Sequence, residues 1–390
     1  MGDNTAISWC DATPNIITGC TDEGEACRNC YARDLSATRL KHLPRYKGLA
    51  VMSENGRSQW TGEVRLNEDA IEQAISWRRP RKLFLTAMGD PCHESLSDET
   101  MARFFAVPLA APHHTHQVLT KRPRRMREFF QRVSVSDLCD VARGIVSQSK
   151  GAVVKSTKKA HDEWLGWLRE RAREKLIPNL WCGTSVGNQD AAERFVPEIS
   201  GVSVAGIRFI SSEPLIGSVN LEPNYCQYCG ATENALRENG ELGESTDGDP
   251  WCLRCDSELC GVGWCLDPCA NNNCGIQFVI VGGESGRKAR PMNPKWAEDL
   301  LDQCKAAGVA RWFKQWGEWY PVSMLDDAEP REGDVWCPIE AHRGAGGSSV
   351  PWNGKASDVP EAVLMRKVGR KTSGELFYGN LIQEFPEVDK

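Results

Sequence analysis

Six short apolar, β-rich runs punctuate the chain, separated by longer stretches of helical or polar pattern. They are Lys82-Leu83-Phe84-Leu85-Thr86-Ala87-Met88, His116-Gln117-Val118-Leu119-Thr120, Leu180-Trp181-Cys182-Gly183-Thr184-Ser185-Val186, Ile207-Arg208-Phe209-Ile210-Ser211, Gln277-Phe278-Val279-Ile280-Val281 and Ala310-Arg311-Trp312-Phe313-Lys314. Strands alternating with helix-length connections predict parallel pairing and an α/β barrel. A strand ahead of Cys20 brings the count to seven, compatible with a partial (β/α)6 TIM-like barrel plus an extra edge. Each run ends in a polar cluster: Gly89-Asp90, Lys121-Arg122, Asn188-Gln189, Ser212-Glu213-Pro214, Gly282-Gly283-Glu284-Ser285-Gly286 and Gln315-Trp316-Gly317. In a parallel barrel such ends share one face, where active sites are assembled.

Two insertions interrupt this rhythm. The first, between Arg132 and Ile177, contains an amphipathic stretch, 155–175, with Trp164, Leu165, Trp167 and Leu168 at helical spacing, which reads as core packing. The second, 224–275, is cysteine-rich. The predicted organisation is therefore a barrel part over 1–223, the insertion over 224–275, barrel completion over 276–320 and a C-terminal extension over 321–390. The extension is Gly-, Pro- and Asp-rich around 326–354, a composition that favours partial disorder.

With 390 residues, 41% of them hydrophobic, the chain can bury one large core. It contains no apolar run long enough to span a membrane and no basic-then-apolar leader, so a cytoplasmic protein without a membrane partner is expected. In that compartment 17 cysteines argue for metal ligation over disulfides. The formal charge of −6 is uneven: 224–275 holds nine acidic and two basic residues. Elsewhere lie two dense basic clusters, Arg78-Arg79-Pro80-Arg81-Lys82 and Lys121-Arg122-Pro123-Arg124-Arg125-Met126-Arg127. Such clusters either grip phosphates or are solvated helix ends.

The sharpest chemical signal is Cys20-x6-Cys27-x2-Cys30, followed at once by Tyr31. Three thiolates on a tight loop can ligate a cubane iron–sulfur cluster and leave one iron open, whereas structural zinc wants four closed ligands. The zinc alternative recruits Cys10 as the fourth. In the insertion, Cys226, Cys229, Cys252 and Cys255 form two Cys-x2-Cys knuckles with zinc-ribbon spacing. Cys260, Cys265, Cys269 and Cys274 offer a second four-thiolate site for zinc or an auxiliary cluster. The acidic loop 233–249 would repel a phosphate backbone, which favours a structural or protein-contact role for this module.

The cysteine loop with its Cys-Tyr-Ala ending resembles the radical S-adenosylmethionine (SAM) enzymes. It is most similar to a phage and mobile-element branch linked to hypermodification of DNA thymidine. The strand-end phrases Leu-Thr-Lys-Arg-Pro, Ser-Glu-Pro-Leu, Gly-Gly-Glu-Ser-Gly and Phe-Lys-Gln-Trp-Gly carry the same resemblance, over roughly residues 8–320. The common family spacing is Cys-x3-Cys-x2-Cys with an aromatic before the last cysteine. Here the first gap is longer and the aromatic follows.

The resemblance implies a 4Fe-4S cluster on Cys20, Cys27 and Cys30, with SAM cleaved to a 5′-deoxyadenosyl radical. Asp90, in Met88-Gly89-Asp90, takes the place of the family's Gly-Gly-Glu stretch. Ser185 and Asn188 would meet the ribose or carboxylate of SAM, Lys121 or Arg122 its carboxylate, and Tyr31 the adenine side. Glu213, Glu284, Lys314 and Gln315 remain as substrate-side candidates. The implied reaction is isomerisation of an N-linked aminoacyl thymidine, such as glycinyl thymidine, to the C-linked form, protecting viral DNA from host restriction. The partners implied are modified DNA or modified thymidine, flipped from the stack, an electron donor such as flavodoxin, and other base-modification enzymes. The alternatives are a radical repair lyase or methyltransferase of nucleic acid and, in a different class, a non-catalytic zinc scaffold.

Overall fold

The computed structural model describes residues 5–221, 242–244, 250–252, 257–258, 275–339, 349–351 and 362–386. The chain divides into two compact units, one built on Met1–Thr184 and Val202–Phe209, the other on Ser185–Gly201 and Ile210–Glu387. Six strands hydrogen-bond in the order Ala310–Gln315, Phe278–Gly282, Ala205–Ser212, Ile177–Ser185, Thr115–Thr120, Lys82–Phe84. These are the six runs expected from the sequence, and the protein is mixed α/β with a parallel six-stranded sheet.

In the first unit the register pairs Leu83 with His116 and Val118 with Cys182, both parallel. The crossover helices bury one stripe each. Glu68–Ser76 turns Ala70, Ile71, Ala74 and Ile75 inward. Asp98–Phe105 is started by Ser97, whose hydroxyl accepts from Thr100 N, and buries Met101, Ala102, Phe104 and Phe105. The first insertion is two helices. Val135–Gln148 opens on a Ser134/Asp137 capping box. Lys158–Glu174 buries Trp164 and Leu168, one turn apart, and Trp164 Nε1 donates to Leu109 O at 2.8 Å. The apolar stripe at 155–175 is core packing, as its spacing predicts, with Leu165 and Trp167 half-buried.

The strand expected ahead of Cys20 does not enter the six-stranded sheet. Ala12 makes a single parallel bridge to Leu83, after which Pro14 and Asn15, at φ 55°, interrupt the ladder. Pairing resumes at Ile17–Gly19, in a small sheet with Arg65–Leu66 and Met88–Gly89. The run Lys82 to Met88 is correspondingly split between the two sheets.

In the second unit Phe278–Gly282 pairs in parallel with Ala310–Gln315, shifted in register after Val281. Helix Pro294–Ala306 is capped by Asn293 and buries Trp296, Leu300, Leu301 and Cys304. Of the stretch 326–354, for which partial disorder is expected, 340–348 and 352–354 lie outside the described residues. Trp319–Pro321, Val363–Lys367, Val335–Cys337 and Val350–Pro351 form a four-stranded antiparallel sheet in that order. Its Arg366 meets Asp334 through two bonds of 2.9 Å, both side chains buried. In the cysteine-rich insertion the backbone of Leu242–Glu244, Pro250–Cys252 and Ser257–Glu258 makes a three-stranded antiparallel sheet, with Leu242 opposite Cys252. Cys226, Cys229, Cys255, Cys260, Cys265, Cys269 and Cys274 lie outside the described residues. Among the described residues no helix is long and apolar enough to cross a membrane.

Candidate functional site

The cysteine loop leaves the small sheet of the first unit at a point where two backbones nearly touch. Thr18 and Gly19 pair with Met88 and Gly89. Gly19 has φ 96°, and a Cβ there would stand 2.1 Å from Glu63 O. A Cβ on Gly89 would stand 2.9 Å from three backbone atoms of residues 17–19. Only glycine permits this approach, which brings Cys20 beside Asp90, whose N–H donates to Gly19 O at 3.3 Å. The loop then makes a 3-10 turn, Glu25–Cys27, and Cys30 becomes the N-cap of helix Tyr31–Ala37. Cys27 is buried, Cys20 and Cys30 are half-buried, and all three thiols are free.

Two arginines hold this loop. Arg33, buried in the first turn after Cys30, donates to Asp22 at 2.5 Å, to Arg28 O at 2.8 Å and to Ser58 at 3.1 Å. Arg122, also buried, sits at the end of strand Thr115–Thr120. It meets Asp90 at 3.0 Å, Glu94 at 2.6 Å and Glu23 at 3.4 Å, and donates to Thr21 Oγ1 at 2.7 Å and to Cys20 Sγ at 3.7 Å. Asp90 also accepts from Thr120 Oγ1 at 2.6 Å, Cys92 N at 2.9 Å and Lys121 N at 3.1 Å. Buried His93 completes the cradle. Its Nδ1 accepts from Ser95 N, so the neutral ring carries its proton on Nε2, 3.0 Å from Thr21 Oγ1.

The electrostatics follow from this crowding. Burial pushes the Cys20 thiol up to about 12; Asp90, Cys27 and Cys30 add to the rise and Arg122 opposes it. Burial also raises Cys30, with Lys121 acting against it. His93 is pushed down by burial and by Arg122. Burial works against the Arg122 charge, yet Asp90 and Glu94 more than offset it, so Arg122 stays a cation throughout. Among the described residues no three His, Cys, Asp or Glu side chains are arranged to hold a single metal ion. A cubane cluster binds each thiolate to a different iron, so its ligands stand further apart than those of one ion. The soft, all-sulfur donor set fits such a group.

The expected site residues thus take different stations. Tyr31, half-exposed, donates to Ala87 O at 2.7 Å. Asp90 and Arg122 form a buried internal pair. Lys121 lies near enough to Cys30 to influence its charge. The basic cluster around it is largely internal: Arg125 donates to Leu96 O, and exposed Arg124 pairs with Glu128 at 2.9 Å. The cluster Arg78 to Lys82 leads into the N-terminal end of strand Lys82–Phe84, whereas the cysteine loop follows the C-terminal end of Ile17–Gly19. Arg33, Thr21, His93 and Glu94 carry no sequence signal of their own, since only the folded loop brings them together.

In the second unit Ser185 is buried at the end of Ile177–Ser185, and Asn188 caps helix Gln189–Ser200, accepting from Ala191 N at 3.0 Å. Glu284 is buried and held by Arg290, which donates from its backbone N, Nε and Nη2 at 2.7–2.9 Å. Glu213 and Lys314, at the ends of their strands, form an ion pair of 2.5 Å. Gln315 Nε2 donates to Ser285 Oγ at 2.7 Å and reaches Glu213 at 3.5 Å.

No curated protein and no solved structure matches the chain. One family model does, over residues 4–386, and the chain belongs to that family, described as protein of unknown function (DUF5131).

Proposed function

We propose that the chain is a radical SAM enzyme whose Cys20, Cys27 and Cys30 hold a 4Fe-4S cluster. Its substrate on this reading is an N-linked aminoacyl thymidine of DNA, such as glycinyl thymidine, which it rearranges to the C-linked form. The observation that carries the reading is the thiol loop. Three free cysteines sit at the C-terminal end of a short parallel strand pair, on a loop clamped by buried Arg33 and Arg122. The six-stranded parallel sheet supports the finer fold reading, a partial (β/α)6 barrel of the radical SAM type. When bound, such a cluster with SAM supplies a one-electron cleavage that yields a carbon radical able to remove an unactivated hydrogen.

The chain's own residues supply position and exclusion of water. Arg33 fixes Asp22, between the first two cysteines, and Arg28 O, between the last two, so both gaps of the loop are tied to one side chain. Arg122 holds the start of the loop against Asp90. An odd number of thiolates leaves one metal position for a small molecule. Lys121, whose charge acts on Cys30, would meet the carboxylate of SAM, a role that Arg122 does not share because its charge already serves Asp90 and Glu94. Contact with the DNA backbone falls to exposed Arg124, and the target base must leave the stack. The insertion is proposed to bind zinc through Cys226, Cys229, Cys252 and Cys255.

Anaerobic reconstitution with iron and sulfide tests the metal. The expected result is a brown protein with broad visible absorbance that releases 5′-deoxyadenosine from SAM and a reductant. A colourless protein saturated by zinc at this loop would establish the scaffold alternative. Nucleoside analysis of glycinyl-thymidine DNA after incubation tests the substrate: conversion to the C-linked nucleoside is expected, and unchanged DNA beside active SAM cleavage rejects it.

A further inference from the structure

The second unit carries two carboxylates at strand ends, and their surroundings differ in a way that assigns them different work. Glu284 is saturated: Oε2 accepts from Arg290 N at 2.8 Å and Nε at 2.9 Å, and Oε1 from Nη2 at 2.7 Å. That bidentate clamp is a structural latch. Glu213 is not saturated. Its partners, Lys314 Nζ at 2.5 Å and Gln315 Nε2 at 3.5 Å, both fall on Oε1, and Oε2 has no partner among the described residues. Lys314 makes this single ion pair there, which leaves N–H donors to offer. The two side chains are 15% and 16% exposed, so they are largely dehydrated yet reachable.

Local geometry keeps this pair in place. Gly282, on the strand between those of Glu213 and Lys314, makes room for it. A Cβ there would press on Glu213 Cγ at 3.3 Å. Gln315 is itself fixed by Ser285 Oγ at 2.7 Å. A half-buried ion pair adds little net stability, because dehydrating both charges offsets most of their attraction. One with open valences is better suited to recognition.

We infer that Glu213, Lys314, Gln315 and Ser285 form a receptor for a zwitterionic amino-acid group, Glu213 taking the ammonium and Lys314 the carboxylate. The charge balance makes it selective. A ligand with both charges meets the spare valences of both partners at once and keeps the site neutral. A ligand with only one charge meets one of them and leaves a net charge in a dehydrated site, which is strongly unfavourable. Gln315 and Ser285 then supply neutral hydrogen bonds beside the ammonium. In the reading proposed above this group is the aminoacyl substituent of the modified thymidine, and to that extent the inference rests on it.

The test is binding to the cluster-free full chain by ligand-observed NMR, so it does not depend on radical chemistry. The probes are sarcosine, sarcosine methyl ester and N-acetylglycine, which present both charges, the cation alone and the anion alone. The expected order places sarcosine about tenfold tighter than either derivative, as one lost charge-assisted hydrogen bond implies. Glu213→Gln and Lys314→Met should each abolish the preference. Because either single change strands a charge, the double variant Glu213→Gln/Lys314→Met keeps the fold free of an unpaired ion and should lose sarcosine binding while its thermal midpoint stays near wild type. Equal binding of the three probes, or sarcosine binding retained in the double variant, overturns the inference. Adding the N-glycinyl thymidine nucleoside separates the two readings. If sarcosine shows the expected order and the nucleoside does not bind, the receptor stands and the thymidine assignment falls.

Discussion

The cysteine loop of the first unit and the strand ends of the second both looked rich in charge, but their charges do opposite things. Around Cys20 the ionic groups satisfy one another: Arg122 with Asp90, Glu94 and Glu23, Arg33 with Asp22. What this leaves for external chemistry is chiefly sulfur. Around Glu213 and Lys314 the pairing is incomplete, and the charges themselves remain for a ligand. A charged residue at a strand end is therefore not yet a binding residue. Its remaining hydrogen-bond capacity decides, and Glu284, one strand from Glu213 but closed by Arg290, makes the point within a single unit.

The comparison can be broken most sharply at sulfur. Replacing Cys20, Cys27 and Cys30 together by Ala should remove one cluster's iron and sulfide and all release of 5′-deoxyadenosine while the far-UV circular dichroism stays native, because none of the three lies within a strand of the large sheet. Iron and sulfide retained at wild-type levels would remove the loop from the metal chemistry altogether.

Next in size is Arg122→Met. If Arg122 is internal, removing it strands the buried Asp90 carboxylate and should cost about 3–5 kcal/mol in urea unfolding, partly recovered by adding Asp90→Asn. An Arg122 held in reserve for a ligand would show no such loss, and an unchanged unfolding curve would reverse its assignment.

The N-terminal end of a strand in the first unit provides a smaller, pH-dependent contrast. His114 and His116 are buried there, near the start of strand Thr115–Thr120. Burial pushes them down from 6.5 to about 3 and about 4. With folded values depressed, the unfolded chain binds protons first as pH falls through 6.5, so stability present at pH 7 is lost towards pH 4. At pH 5 the loss is about 2 kcal/mol per histidine. His116 donates from Nε2 to Ala111 O at 3.0 Å. His116→Gln can keep that bond without titrating, and should flatten the slope of unfolding free energy against pH; an unaltered slope would exclude His116 as its source.

The smallest effect is expected at Arg124, three-quarters exposed and paired only with Glu128 among the described residues. Arg124→Gln should change stability by less than about 0.5 kcal/mol. If modified DNA is bound here, the same change should lower the salt dependence of binding by about one phosphate contact. A shift of several contacts would mean that the whole basic cluster, including its internal arginines, faces the nucleic acid.

The strand positions were legible because burial on both faces of a parallel sheet writes itself as short, continuous apolar runs, and all six recur as strands at nearly the expected places. The helix in 158–174 was legible for the same reason, through its period. The strand ahead of Cys20 is present as the sequence suggests, but its sheet was not legible, because residue types do not register what Pro14 and a left-handed Asn15 do to a ladder. In the C-terminal extension the short segments Val335–Cys337 and Val363–Lys367 become strands by pairing with each other, a partnership that composition does not register.

Periodicity and cysteine spacing are local properties, so the order of elements and the thiol loop are already present in the chain as written. Which charges stay available is not local. Arg122 is matched by a carboxylate 32 residues away, and Gln315 reaches Glu213 across 102. Those partners meet only after the strands have aligned, because hydrogen-bond saturation depends on distance in space and leaves no trace in spacing along the chain.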